Sequence, residues 1–164
     1  MNIRTRVIEP ADYPQLEDFL YHAIYLPPGT PSVPRELIFD PEIYIYVKDF
    51  DPATRPGDCG VVAERDGKLL GIAWTRIIPA YGHIDDETPE LAISVLPECR
   101  GQGLGTVLME RLFDELRAQG YTRTSLSVQK DNPAVRFYRR LGYETAGDRL
   151  DHAGHEDWLM VKEL

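Results

Sequence analysis

Cysteine is scarce in this chain of 164 residues: Cys59 and Cys99 are the only two. Two thiols cannot staple a domain of this length, and their spacing matches no zinc ligand set. A reducing, cytoplasmic setting is the simplest expectation. Long apolar runs are missing as well. No stretch approaches the roughly 18 uninterrupted apolar residues of a membrane span. The opening Met1-Asn-Ile-Arg-Thr-Arg-Val-Ile-Glu-Pro10 carries charges where a signal peptide needs an apolar core. Positive charge is also in deficit. The formal net charge of −9 argues against a general affinity for nucleic acid, which depends on clustered Lys and Arg. There is no internal repeat and no low-complexity segment, and a single domain over 1–164 is expected.

The deficit of cations is uneven. Residues 100–140 hold eight (Arg100, Arg111, Arg117, Arg123, Lys130, Arg136, Arg139, Arg140) against four anions (Glu110, Asp114, Glu115, Asp131), leaving −13 for the remainder. A cationic segment in an acidic chain points to an anionic ligand held locally and to a surface elsewhere that attracts cations.

Apolar periodicity divides the chain into alternating elements. Thr5–Ile8 is expected as a strand and Ala11–Tyr25 as a helix through Leu16, Phe19, Leu20 and Ala23. The four prolines of Leu26–Pro34 enforce a loop, and 36–47 is expected to be partly helical. Residues 61–65 and 68–75 flank Asp66-Gly67, the pair that favours a type I′ hairpin turn. Glu90–Leu96 is apolar enough for a central strand covered on both faces. Leu104, Leu108, Leu112 and Leu116 recur every four residues in a helix over 103–119, stopped by Gly120. Thr124–Val128 reads as a strand. Asn132-Pro133 reads as cap and first residue of a helix running to Gly142, with Ala134, Phe137, Tyr138 and Leu141 on its apolar side. Residues 143–146 and 158–161 complete a strand pair. Such an exposed terminal strand could pair between subunits as a homodimer.

The densest signal is Val95-Leu-Pro-Glu-Cys-Arg100-Gly-Gln-Gly-Leu-Gly105-Thr, where a buried strand meets a helix through three glycines at alternate positions. Such a junction turns several N–H groups outward at the positive end of a helix, a seat for a pyrophosphate. No lysine follows Gly105 as a P-loop requires, and the spacing G-x-G-x-G lacks the Rossmann pattern and its later acidic residue. Alone, the glycines could equally make a tight turn with no ligand.

A second motif supplies context. Arg100-x-x-Gly103-x-Gly105 after Ala92–Pro97, followed by Asn132-Pro-Ala-Val-Arg-Phe-Tyr138-Arg-Arg-Leu-Gly-Tyr143, resembles the two coenzyme motifs of the GNAT superfamily of N-acetyltransferases over residues 90–146. The resemblance implies an α/β (α+β) fold in one domain. Its sheet is mixed but mostly antiparallel and twisted, with six or seven strands flanked by about four helices, and its fourth and fifth strands splay apart. It implies acetyl-CoA as co-substrate, bound by Val95, Leu96, Pro97, Arg100, Gly101, Gln102, Gly103, Leu104, Gly105, Thr106, Asn132, Ala134, Phe137 and Tyr138, without a metal. It implies transfer to an amine on a small molecule or peptide, by direct attack and with no acyl-enzyme. The alternative is a non-catalytic module that binds acyl-CoA as a regulatory ligand.

By the same resemblance Tyr138 is the acid or hydrogen-bond donor at the departing sulfur, and Glu90 the general base, with Asp85, Asp86 and Glu87 close by. Each has a plainer reading. Glu90 could belong to a solvated acidic turn, Tyr138 could simply pack on its helix, and Asn132 could only cap. Cys99 is read as incidental, and His152 and His155 as polar residues of a hairpin loop. Tyr21, His22, Tyr25, Tyr44 and Tyr46, with the acidic run 85–90, would suit an acceptor that is a cation with an apolar body.

Overall fold

The turn at Asp66-Gly67 sets the register of half the sheet. Both residues take positive φ, 52° and 79°, as a two-residue hairpin needs, and Arg65 faces Lys68 across it. In the computed structural model, which describes residues 2–164, this turn joins β2 (Cys59–Arg65) and β3 (Lys68–Arg76). Outside them lies β1 (Arg4–Val7), antiparallel to β2 and one residue earlier than its apolar pattern suggests. β4 (Glu90–Val95) follows antiparallel on β3. Then come β5 (Arg123–Gln129), β7 (Glu156–Glu163) and, at the far edge, β6 (Glu144–Leu150). The seven strands run in the order β1-β2-β3-β4-β5-β7-β6, and β4 with β5 is the one parallel neighbour pair among the described residues.

The two faces bury different cores. α3 (Leu104–Ala118) crosses from β4 to β5 and buries Leu104, Leu108, Leu112 and Leu116 with Phe113, beside α4 (Ala134–Arg140), whose Phe137 and Tyr138 are half-buried against the same cluster. Each fully buried leucine contributes about 1.5–3 kcal/mol of burial. Gly120, at φ 90°, ends α3, and Tyr121 N–H returns to Leu116 O at 3.1 Å. On the opposite face α1 (Leu16–Ala23) and residues 38–50 cover Val62, Ile72 and Trp74.

The first helix departs from its expected span. Residues 10–15 form a 3-10 turn and α-helix starts only at Leu16, because Pro14 has no N–H to give to a continuous ladder. Pro41 likewise splits 35–47 into a short 3-10 turn and the single-turn α2 (Pro41–Tyr44). That irregular segment is fastened from below. Arg76, 2% exposed, forms a buried bidentate pair with Asp58 at 3.0 and 3.1 Å and donates to the carbonyls of Ile45 and Lys48 at 2.8 and 2.6 Å. Trp74 Nε1 donates to Tyr46 O at 2.9 Å.

Candidate active site

β4 and β5 touch at one register pair, Glu90 with Ser125. Three bonds lock that junction: Ser125 N–H and Thr124 Oγ1 donate to Pro89 O at 3.0 and 2.8 Å, and Ser125 Oγ donates to Gly82 O at 2.6 Å. Beyond it the strands part, and a cleft of about 250 Å³ opens between Ala92-Ile93 and Ser127–Gln129. Glu90 and Tyr138 both line it, with Asn132, Tyr46 and Asp157.

Glu90 is no solvated turn residue: it is 2% exposed. Its Oε2 accepts hydrogen bonds from the Tyr46 hydroxyl and from Gly82 N–H, while its Oε1 is buried without a partner. Burial pushes the carboxyl up to about 7, against the opposing pull of Tyr46, the Gly82 amide and the Arg149 charge. The upstream acids are placed otherwise. Asp85 pairs with Arg123 at 2.5 Å and Asp86 points its side chain into solvent. Among the four carboxylates only Glu90 is buried in the cleft.

Tyr138 packs its ring on Phe137 and Tyr143, with centroids 5.5 and 5.8 Å apart, and desolvation pushes its hydroxyl up to about 12. A phenol that weakly acidic stays protonated throughout the neutral range. It is a lasting hydrogen-bond donor rather than a ready source of protons. The ring is walled by its aromatic neighbours while the residue still lines the cleft, so packing on the helix leaves room for a polar role beside it.

The glycine loop lies at the end of β4. Val95 is the last residue of the strand, and Leu96 leads into the 3-10 turn Pro97–Cys99. Gly101 and Gly103 have φ 74° and 82°, with no atom within 4 Å of the position a Cβ would take. An L-residue would be strained there, and the space above is open. Gln102 and Thr106 are exposed, Leu104 is buried in the core, and the first amide of this turn to find a carbonyl is that of Val107, on Gly103 O at 3.4 Å. The preceding amides therefore face outward at the positive end of a 15-residue helix. At Gly105 the reason for glycine is different: an added Cβ would stand 3.2 Å from Phe137 Cζ, so its absence lets α3 approach α4. Ala134 N–H donates to Asn132 Oδ1 at 2.9 Å, the capping bond, although the helix proper is assigned from Ala134.

Arg100 is already engaged. Its guanidinium donates to Val95 O at 3.1 Å and to His22 O at 2.9 Å, tying the loop to the end of α1. The tyrosines of the first half also divide by role. Tyr21 donates to Val33 O at 2.7 Å and Tyr44 to Glu17 at 2.9 Å, both structural, whereas Tyr46 turns into the cleft.

Sequence reading missed Gly82 altogether, because a backbone donor carries no side-chain signal. His152 entered it only as a loop residue, and the cleft position of Asp157 was not foreseen. In the structure His152 bridges Asp40 and Glu42 at 2.9 and 2.6 Å, holding the β6–β7 loop against α2 beside the cleft.

The sequence profile described as the Acetyltransferase (GNAT) family matches residues 21–143. The chain belongs to the GNAT family. Among its relatives, the mycothiol acetyltransferase of Streptomyces coelicolor is 36% identical over 115 residues, 69% of this chain and 31% of that protein. That of Thermomonospora curvata is 37% identical over 95 residues, 57% of this chain and 29% of its own length. The chain thus spans under a third of the curated relatives it matches. Among solved structures, a GNAT-family acetyltransferase from Streptococcus pneumoniae superposes with TM-score 0.70 at 22% identity, covering 99% of this chain and 100% of that one. A Salmonella typhimurium protein described as a putative acetyltransferase with its cofactor acetyl-CoA gives TM-score 0.70 at 21% identity, covering 100% and 95%. The mixed seven-stranded sheet with its splayed β4 and β5 is the GNAT fold.

Proposed function

We propose that this chain is an N-acetyltransferase that uses acetyl-CoA to acetylate an amine, with residues 1–164 working as one unit. The observation that carries this reading is Glu90: a buried carboxyl poised near neutrality at the closed end of the splay, in one cleft with Tyr138. The glycine loop suits the coenzyme's phosphates, with outward amides, positive-φ glycines and open space above them. The curated relatives, themselves acetyltransferases, support the same chemistry.

Acetyl-CoA supplies the acyl group as a thioester. The chain's residues manage protons. An alkylammonium of pKa near 10.4 costs about 4–5 kcal/mol to deprotonate at pH 7. Glu90, with a free Oε1 and a carboxyl near 7, can take that proton directly or through water, and the freed amine attacks the acyl carbon. As the C–S bond breaks, the nitrogen's second proton passes through water to the departing sulfur, to which Tyr138 donates a hydrogen bond. Full proton transfer from a phenol near 12 to a thiolate whose acid is near 8.5 runs uphill, so this donor contributes less than the base. No side chain is needed as an acyl acceptor, and buried Cys99 is not engaged.

Incubating the protein with acetyl-CoA and a panel of amines, while following free thiol, tests the reading. Amine-dependent thiol release supports it. Tight coenzyme binding with no turnover across the panel favours a regulatory acyl-CoA module instead.

A further inference from the structure

Glu90 is not the only buried carboxylate in the cleft. Asp157, at the start of β7, is 5% exposed, lines the same cavity, and has Oδ1 buried without a hydrogen-bond partner. Burial, reinforced by the charges of Asp151 and Asp131 and opposed by that of His155, pushes its carboxyl up to about 6.

The cations near it are committed elsewhere. Arg149, its register partner on β6, gives its guanidinium to His83 O at 3.0 Å. Lys130 pairs with Asp148 and Glu156 at 3.0 and 3.5 Å and lies over the Trp158 ring at 4.1 Å. His155 is paired with Asp151 at 2.9 Å. A buried carboxylate oxygen with no donor is costly unless something else compensates it.

Register gives its position relative to Glu90. Asp157 stands opposite Gln129, and Glu90 stands beside Ser125. Residues 125, 127 and 129 share one face of β5, so both carboxylates serve the face covered by α1 and α2. They sit about four residues, ~13 Å, apart along the strand.

We propose that Asp157 binds a second cationic centre on the acceptor. The acceptor class is then a diamine or polyamine, with its reacting nitrogen toward Glu90 and its remote ammonium against Asp157. This rests on the acetyl-transfer reading, and it names Asp157 as a specificity residue of that site.

The test compares α,ω-diamines of four to eight carbons with amino alcohols of equal length, in wild type, Asp157→Asn and Asp157→Glu. The wild type is expected to favour diamines by at least tenfold in kcat/KM, the scale of one charge-assisted hydrogen bond. Asp157→Asn is expected to bring that ratio to within about threefold of one, chiefly through KM, and Asp157→Glu to restore part of it. Equal use of both series by the wild type overturns the proposal without reference to any variant. So does an Asp157→Asn variant that loses activity equally on both. Should no amine be acetylated, the transfer reading fails separately. Calorimetric titration of 1,6-diaminohexane into CoA-saturated protein then decides: binding at least tenfold weaker in Asp157→Asn supports the role, and equal binding refutes it.

Discussion

The Tyr46 hydroxyl donates to Glu90 Oε2, joining the irregular segment after α2 to the first residue of the central strand. The contact is held from both sides. Trp74 fixes the Tyr46 carbonyl and Gly82 N–H donates to the same carboxylate oxygen, leaving Oε1 without a partner. A carboxylate held through one oxygen and open at the other has the fixed orientation that the proposed base requires.

Removing that donor has a signed consequence. The Tyr46 hydroxyl favours the charged form of Glu90, so Tyr46→Phe is expected to raise the Glu90 pKa further above 7, by about one unit. The acid limb of the rate profile should move to higher pH by that amount, as kcat/KM measured between pH 5.5 and 9.5 would show.

Glu90 also couples folding to pH. Its folded pKa is raised above the ordinary 4.5 to about 7, so between those values the native state binds more protons than the unfolded chain. The stability contributed by this group therefore falls as pH rises through that window. Glu90→Gln removes the effect. Its stability relative to wild type should improve from pH 4.5 to pH 8, by roughly 3 kcal/mol at 1.36 kcal/mol per unit, and urea unfolding at the two pH values measures this directly.

The Arg76–Asp58 pair supports the same segment from beneath. Both side chains are nearly inaccessible, 2% and 3%, so Asp58→Ala leaves an uncompensated buried guanidinium and is expected to destabilise by about 3–5 kcal/mol. Thermal denaturation is the check.

At Gly103, alanine adds backbone strain at φ 82° without touching another residue. A loss of about 1–2 kcal/mol is expected from the left-handed conformation. The new methyl also projects into the open space of the loop, so acetyl-CoA affinity by calorimetry should weaken by about tenfold or more, beyond what the melting temperature accounts for.

Much of the scaffold was legible because it is written in local chemistry. Asp66-Gly67 turned where expected, the leucines of α3 faced the core, and Asn132 made its capping bond. Pro14 and Pro41 disrupted helices that apolar spacing alone had run through them. Within the cleft, Glu90 and Tyr138 could be named from motif position, but neither spacing nor composition says that a carboxylate before a strand will be buried. That depends on Tyr46 and Gly82, distant in sequence and brought there by the Arg76 and Trp74 anchors. Asp157 was invisible for the same reason: register, set by β5 and β7 pairing, decides that it faces the cavity.

The most direct test is amine-dependent release of free thiol from acetyl-CoA, followed from pH 5.5 to 9 for wild type and Glu90→Gln with one accepted amine. Wild-type kcat/KM should fall with decreasing pH along a limb centred near 7, and the variant should lose about 10²–10⁴-fold at pH 7.5 and lack that limb. An unchanged rate and an unchanged profile in Glu90→Gln would contradict the account.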